Sequence, residues 1–183
     1  MWNLVTLDGY FERKKWDLDF HTSVWGDELE RLSVEQLRSA DFLFFGRTTY
    51  EGMAAYWPTP NAESGEIADL MNSIPKVVFS RTLEKADWSN TTLVKENAAA
   101  EAARIKSEPG QNIYVFGSAD LSATFMKHDL FDEYRLCIVP VLLGEGTMLF
   151  KPSAAGTRLR LKGSRQLLTG GVIAEYEPER NRS

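Results

Sequence analysis

The chain has 183 residues, 43% of them hydrophobic, and carries a formal net charge of -5. This length suits one sizeable hydrophobic core, so we expect a single domain over residues 1–183. Because binding to nucleic acid or to anionic membranes depends on clustered Lys and Arg, the acidic balance argues against both as partners.

Cysteine usage and the N-terminal residues bear on the compartment. The chain contains a single cysteine, Cys137, so no internal disulfide can form. It lies in the apolar run 136–143, which favours a buried side chain over a nucleophile. No basic and apolar leader precedes Asn3, and no stretch is long enough to span a membrane. These features predict a soluble, cytoplasmic protein.

The first forty residues predict a strand, a loop and a helix. Residues 4–7 have the pattern of a strand, and the breaker pair Asp8-Gly9 ends it, which brings Asp8 to a sheet edge. Residues 12–24 mix charges and aromatic side chains without a period, so we interpret them as a loop over the end of this strand. Residues 27–40 carry apolar side chains at helical spacing and predict the first helix.

The stretch from Phe42 to Thr49 is the most informative. The apolar run 42–45 is typical of a strand buried on both faces, and Gly46 ends it. Arg47, Thr48 and Thr49 then open a helix, with either threonine placed to cap it. Free amides, a helix dipole and a guanidinium would meet at this point, which indicates a phosphate site. The alternative is a helix start whose arginine is merely solvated.

The middle of the chain repeats this alternation of strands and helices. A buried strand ends in Ser80, Arg81 and Thr82, where the sheet meets solvent. A second junction of strand, glycine and helix begins at Gly117. The predicted segments are helices over 49–56 and around 67–71, strands over 75–83 and 91–94, a helix over 97–107, a strand over 112–116 and a helix that ends near residue 127.

The last third predicts mainly strands. Residues 133–143 form one strand, followed by the bend Gly144-Glu145-Gly146, which lets backbone approach a ligand or turn tightly. Residues 157–168 and 172–176, joined by a glycine-containing turn, predict an antiparallel hairpin, and the tail from Glu177 is expected to fray. The fold class is therefore α/β, in three layers (αβα), with a mostly parallel central sheet and an antiparallel C-terminal hairpin.

Five motifs in register carry a resemblance that covers about residues 4–177. They resemble the dihydrofolate-reductase-like superfamily, most closely the branch similar to the reductase domain of the riboflavin-pathway deaminase-reductase. The motifs are Leu7-Asp8-Gly9-Tyr10, Phe45-Gly46-Arg47-Thr48-Thr49-Tyr50-Glu51, Phe79-Ser80-Arg81-Thr82, Val115-Phe116-Gly117-Ser118-Ala119 and Pro140-Val141-Leu142-Leu143-Gly144-Glu145-Gly146.

This resemblance implies NADPH as the cofactor. The cation at Arg81 suits a 2′-phosphate, which would lose charge-assisted hydrogen bonds without a partner. The chain has Phe116 where the family often has a first glycine, which puts the family's cis peptide there in doubt. The implied cofactor-binding residues are Gly46, Arg47, Thr48 and Thr49 for phosphate, Ser80, Arg81 and Thr82 for the adenosine ribose and its 2′-phosphate, Gly117, Ser118, Ala119, Asp120 and Leu121 for the pyrophosphate, and Gly144 in the later bend.

The substrate side is less determined by the resemblance. Tyr10 stands where relatives that reduce the phosphorylated riboflavin intermediate tend to have lysine. Asp27 or Glu28 could play the part of the first-helix carboxylate of folate reductases, or could simply complement the helix dipole. We assign catalytic roles to Asp8 and Glu145, for which the alternatives are a turn residue and a solvent-exposed side chain.

If Asp8, Tyr10 and Glu145 line the pocket, they supply acceptors and one phenol donor. That set favours an uncharged or cationic, amine-bearing pyrimidine or pterin without a phosphate, and weak or no reduction of dihydrofolate. The aromatic residues Trp16, Trp25, Tyr56 and Trp57 could wall such a pocket, although core packing is the simpler interpretation.

The resulting prediction is an NADPH-dependent reductase of a small nitrogen heterocycle. A dinucleotide-binding or regulatory module without turnover, and an interaction protein that uses the aromatic loop, remain alternatives. His21 and His128 are the only histidines and lack the companions of a metal site, so no metal is expected. The apolar strands 133–143 and 172–176, together with the resemblance, point to a homodimer.

Overall fold

Strands and helices alternate along most of the chain in a computed structural model, which describes residues 1–14, 17–60, 62, 65–151 and 156–180. The strands are β1 (Trp2–Thr6), β2 (Tyr10–Glu12), β3 (Ala40–Gly46), β4 (Lys76–Phe79), β5 (Thr91–Val94), β6 (Asn112–Val115), β7 (Tyr134–Val139), β8 (Thr147–Met148), β9 (Leu159–Gln166) and β10 (Val172–Pro178). The helices are α1 (Asp27–Arg38), α2 (Arg47–Tyr56), α3 (Glu66–Ser73), α4 (Ala98–Lys106) and α5 (Ala119–Lys127), and a 3₁₀ turn spans Asp19–Ser23.

Two four-stranded sheets meet edge to edge. One has the order β5-β4-β3-β6 with parallel pairing throughout, since its strands are connected largely through helices. The other has the order β1-β7-β10-β9, in which β1 is parallel to β7 and the β9–β10 hairpin is antiparallel. A parallel bridge between Trp2 and Phe116 connects the two. The predicted mostly parallel sheet with an antiparallel C-terminal hairpin is confirmed.

Alternate residues of the central strands face opposite layers of helices. Phe44 packs in a buried cluster that contains Ile105 of α4 and Phe125 of α5. Its neighbour Phe45 packs on the other face of the sheet, in a cluster with Leu37 of α1. Because side chains alternate across a strand, a continuous apolar run is what such a doubly covered strand requires. The αβα layering is therefore confirmed.

Helix α2 begins two residues earlier than predicted, at Arg47, and is capped differently. Gly46 is its N-cap residue, and no side chain makes the capping hydrogen bond. The expectation that Thr48 or Thr49 caps the helix is therefore wrong. Thr49 is instead buried, and its hydroxyl accepts a hydrogen bond from the Ser118 hydroxyl of the neighbouring junction.

Two other segments differ from the prediction. Glu12, where the predicted loop begins, is instead the last residue of β2, which pairs with the short strand β8. The tail does not fray at Glu177, because β10 continues to Pro178 and Arg180 donates hydrogen bonds to the carbonyl oxygens of Asp129 and Phe131.

Cys137 is fully buried, as predicted. Burial raises the pKa of its thiol to about 11, so the sulfur stays protonated at neutral pH and is a poor nucleophile. Within the part of the chain that the structure describes, no helix is both long and apolar enough to cross a membrane.

Candidate functional site

A cleft of about 1040 Å³ lies at the carboxyl ends of β3, β4, β5 and β6. Parallel strands present their polar end residues at one edge, which is where layered α/β proteins bind ligands. The predicted cofactor residues that line the cleft are Gly46, Arg47, Thr48, Thr49, Ser80, Arg81, Thr82, Gly117, Ser118, Ala119, Asp120 and Leu121.

The two junctions of strand, glycine and helix interlock at the centre of this cleft. The Ser118 hydroxyl accepts a hydrogen bond from the Gly46 amide at 2.7 Å and donates one to Thr49 Oγ1 at 2.8 Å. Gly117 has a φ of +55°, and a Cβ added there would lie 2.9 Å from Thr49 Oγ1. Because β3 and β6 are neighbours, these contacts hold the N-termini of α2 and α5 side by side.

Adjacent helix N-termini form a site for anions. The first amides of α2 and α5 have no partners inside their helices, and both helix dipoles direct positive potential to the same place. Arg47, at the first position of α2, is exposed and lies 3.2 Å from Glu51. Ser118 does not cap α5 with its side chain, because its hydroxyl is used between the junctions. This arrangement can hold two linked phosphates.

The β4 and β5 end of the cleft carries two cations. Arg81 is exposed in the turn after β4, whose shape is set by Thr82 and Leu83 amides donating to Ser80 Oγ at 3.2 and 2.9 Å. Lys95 follows β5 and lines the same cleft, although the sequence did not single it out. Lys95 is identified by the parallel pairing of β4 with β5, which places the residues after both strands at one edge of the sheet. This end suits a further phosphate.

The remaining predicted residues lie elsewhere. Asp8, Tyr10, Asp27, Gly144 and Glu145 are not among the residues that line the cleft. Asp8 instead ties two loops together, because its carboxylate accepts hydrogen bonds from the Thr6 hydroxyl at 2.6 Å and the Gly144 amide at 2.8 Å.

These bonds also fix the charge of Asp8. The hydrogen bond from Thr6, followed by that from Gly144, holds the pKa of the Asp8 carboxyl below its usual range. A carboxylate that is ionised at neutral pH and lies away from the cleft does not suit proton donation. Glu28 is similarly occupied, since it accepts a hydrogen bond from the Leu168 amide at 2.7 Å. The expected set of acceptors in the pocket is therefore not assembled.

On the α1 side the cleft continues into what we call the aromatic chamber. Trp25 and Tyr56 line it and are 43% and 39% exposed, so the core interpretation was wrong for these two; Trp16 lies outside the described residues. The chamber is lined by Trp2, Leu18, His21, Trp25, Ser33, Gln36, Leu37, Met53, Tyr56, Trp57, Ile67 and Met71.

The electrostatics of the aromatic chamber differ from those of the phosphate-type sites. Burial lowers the pKa of His21 to about 4, so its imidazole is neutral at pH 7. Among the described residues that line the chamber there is no Lys, Arg, Asp or Glu. Such a chamber can sandwich a flat, uncharged ring between aromatic side chains.

Glu12 is a buried carboxylate on the cleft wall that sequence reasoning missed. It lies at the end of β2 and accepts a hydrogen bond from the Thr147 hydroxyl of β8 at 2.9 Å. No local pattern marks a strand as short as β2, whose partner lies more than a hundred residues away. A carboxyl group at this place can exchange a proton with a bound ligand.

Known proteins share the whole of this architecture. The family described as the RibD C-terminal domain matches residues 1–173. The uncharacterized protein YyaP of Bacillus subtilis (strain 168) is 32% identical over 175 residues, which cover 94% of this chain and 90% of that protein.

Solved structures have the same fold. A protein named for riboflavin biosynthesis from Shewanella sp. PV-4 superposes with a TM-score of 0.77 at 24% identity, with 98% of this chain and 97% of that chain covered. The deaminase/5-amino-6-(5-phosphoribosylamino)uracil reductase of Thermotoga maritima gives a TM-score of 0.67 at 12% identity, with 97% of this chain and 55% of that chain covered. The predicted dihydrofolate-reductase-like fold is thereby confirmed.

Proposed function

Because the chain belongs to the RibD C-terminal domain family, we propose that it is an NADPH-dependent reductase of a small, uncharged nitrogen heterocycle. The observation that carries the proposal is the interlock of Gly46, Thr49 and Ser118, which brings two helix N-termini together beside a large cleft. A helix N-terminus binds the diphosphate of a dinucleotide through its free amides and dipole, and two of them side by side present more such donors.

The residues present fit NADPH along the length of the cleft. The amides at the starts of α2 and α5 would hold the diphosphate, and Arg81 with Lys95 would hold the 2′-phosphate. The aromatic residues of the chamber, which belong to the same cleft, would hold the nicotinamide ring. The cofactor supplies a hydride when bound. The part of the protein is to bind both molecules, keep their rings in register and exclude water from the chamber.

The chamber supports a substrate without a phosphate. The cationic side chains on the cleft wall are Arg47, Arg81, Lys95 and Lys151, and none of them is among the residues that we assign to the aromatic chamber. Lys151 is already ion-paired with Asp120. A phosphorylated substrate would therefore find no counter-charge among the described chamber residues, which favours a neutral pyrimidine or pterin over the phosphorylated riboflavin intermediate.

A second candidate is a dinucleotide-binding module without turnover. It is favoured by the position of Asp8 and Glu145, which carry the predicted catalytic roles but do not line the cleft. Following NADPH oxidation with a panel of unphosphorylated pyrimidines and pterins separates the two functions. Oxidation that depends on the heterocycle supports the reductase, whereas tight NADPH binding without oxidation supports the module.

We expect the unmutated protein to bind NADPH more tightly than NADH and Arg81→Ala to reduce this preference by roughly 10-fold, since one exposed charged contact is worth about 1.4 kcal/mol. Quenching of nicotinamide fluorescence measures both affinities. Lys85→Ala is the matched control, because Lys85 is an exposed cation on the same loop that pairs with Asp87 and does not line the cleft. Equal affinities for NADPH and NADH in the unmutated protein would refute the assignment.

We also propose that the protein forms a homodimer through the β9–β10 hairpin. The structure changes the expected surface, because strand β10 lies inside the sheet between β7 and β9. The edge strand is β9, on which Leu161 is 53% exposed. An unpaired edge with exposed leucines is a surface that a second copy can cover.

Sedimentation tests this surface directly. The unmutated protein should sediment as a dimer at micromolar concentration, and Leu161→Lys should sediment as a monomer because a charge would be buried at the interface. Leu168→Lys changes an even more exposed leucine in the turn beyond β9, at 94% exposure, and should leave the dimer intact. A monomer mass for the unmutated protein would contradict the proposal.

A further inference from the structure

Two buried side-chain amides on the cleft wall have orientations fixed by their neighbours. Asn3 Oδ1 accepts a hydrogen bond from the Gly117 amide at 2.7 Å. Gln36 Oε1 accepts one from Arg135 Nη1 at 3.1 Å. An arginine can only donate, so the oxygen of Gln36 must face it and the NH₂ group must point away. The assignment of oxygen and nitrogen in this amide is therefore unambiguous.

The NH₂ group of Gln36 is left without a partner. Its side chain is 3% exposed, and its Nε2 is buried without a hydrogen bond among the described residues. A buried donor of this kind costs on the order of 1–3 kcal/mol unless something accepts its proton. Gln36 lines the aromatic chamber, so a ligand in the chamber is the acceptor that would remove this cost.

Neighbouring groups hold Gln36 in place. Arg135 is itself anchored, with Nη2 2.9 Å from Glu133 Oε1, so it cannot easily turn away. Ser33, one turn earlier on α1, donates its hydroxyl proton to the Leu29 carbonyl oxygen at 2.8 Å. The donor of Ser33 is therefore already used, whereas that of Gln36 is not. Two other buried polar atoms of cleft-lining residues, Asn3 Nδ2 and His21 Nε2, also have no hydrogen-bond partner among the described residues, so a ligand in the cleft can pair with them as well.

We infer that Gln36 determines substrate specificity by donating a hydrogen bond to a ring oxo group, so that the substrate is an oxopyrimidine or oxopterin rather than a fully amino-substituted ring. This inference rests on the proposed function and specifies its substrate class. It also specifies a ligand that accepts a hydrogen bond, whereas Asp8, Tyr10 and Glu145 led us to expect an amine-bearing ligand that donates one. Those acceptors are absent from the cleft wall, and the chamber instead offers a donor, which matches an oxygen acceptor on the ring.

A pair of probes of equal size tests the inference. 6-Aminouracil carries two oxo groups, and 2,4,6-triaminopyrimidine carries amino groups at the same positions. We expect the unmutated protein to bind 6-aminouracil at least about 10-fold more tightly, as measured by calorimetry at a pH where both probes are uncharged. Gln36→Glu replaces the donor by an acceptor that can still pair with Arg135, and it should invert the preference.

Two further variants keep the test decisive. Gln36→Met retains the length of the side chain and removes the donor, so it should bring the two affinities close to equality. Glu35→Met changes the exposed neighbour of Gln36 on α1, which does not line the cleft, and should leave the ratio unchanged. Melting temperatures are recorded for every variant, so that the ratio is read only from folded protein. If Gln36→Glu and Gln36→Met both fold and keep the ratio of the unmutated protein, or if that protein does not favour 6-aminouracil, the inference is overturned.

The same samples distinguish this inference from the proposed function. NADPH titration tests the dinucleotide site, which lies at the ends of β3 to β6 and does not include Gln36. Normal NADPH binding with an unchanged probe ratio overturns the role of Gln36 alone. If the unmutated protein does not bind NADPH but shows the expected probe ratios, the proposed reductase is overturned and an oxo-heterocycle site is supported.

Discussion

Gly117→Ala should weaken NADPH binding by about 30-fold, which corresponds to about 2 kcal/mol. Gly117 has a φ of +55°, where an added Cβ costs roughly 1–2 kcal/mol. The same Cβ would meet Thr49 Oγ1 at 2.9 Å, so Thr49 must move away from Ser118. The N-termini of α2 and α5 would then lose their alignment. Titration of nicotinamide fluorescence measures the loss.

Gly144→Ala is the matched control for this substitution. Gly144 has a comparable φ of +71°, but a Cβ added there meets nothing within 4 Å. Both variants should therefore lose thermal stability, Gly117→Ala more so because of the added contact with Thr49, and only Gly117→Ala should lose NADPH affinity. An equal loss of NADPH affinity in both variants would show that the contacts among Gly46, Thr49 and Ser118 have no particular role in binding. It would support the predicted cofactor contact of Gly144.

Lys76→Met should lower the free energy of unfolding by about 3 kcal/mol. The side chain of Lys76 is 1% exposed, and its Nζ donates to the carbonyl oxygens of Met71 at 2.8 Å and Ile74 at 2.6 Å, at the end of α3. It also lies 4.6 Å from the ring centre of Trp88. Methionine fills the same volume but leaves these buried acceptors without a donor.

Chemical denaturation of Lys76→Met measures this loss, with Lys85→Met as the control at an exposed lysine. The control should change the free energy of unfolding by less than about 0.5 kcal/mol. A change of that small size at Lys76 would show that the carbonyl groups at the end of α3 find water or other donors, and that the buried ammonium group contributes little to stability.

Sequence reasoning succeeded where the signal is local. The apolar run 42–45 and the glycine after it predicted β3 and the start of α2, and the second glycine junction at Gly117 was found in the same way. Strand β3 is buried over its centre and β6 ends in the buried Val115. A Cβ on either glycine would lie 2.9 Å from a side-chain oxygen of the other junction. The adjacency of the two junctions follows from the pairing of β3 with β6, which no local pattern encodes.

Gln36 of the chamber and Glu12 of the cleft wall were missed because their positions depend on distant parts of the chain. The apolar positions of α1 predicted its buried face, but a glutamine at position 36 has no apolar signal, and its burial depends on Arg135. Glu12 is placed by its pairing with β8. For Asp8 the prediction failed in the other direction. Its position after a strand indicated a functional site, whereas its hydrogen bonds with Thr6 and Gly144 give it a structural role.

The pairing of the first strand has a consequence for synthesis of the protein. Strand β1 lies beside β7, with Trp2 opposite Arg135 and Thr6 opposite Val139. On the ribosome, β1 therefore emerges more than a hundred residues before its partner, a delay of roughly 7 to 27 s at 5–20 residues per second. Phe116, which bridges to Trp2 on the other side of β1, also emerges late. The N-terminal strand thus enters the sheet only when most of the chain has been made, and the cleft is completed in that same late step.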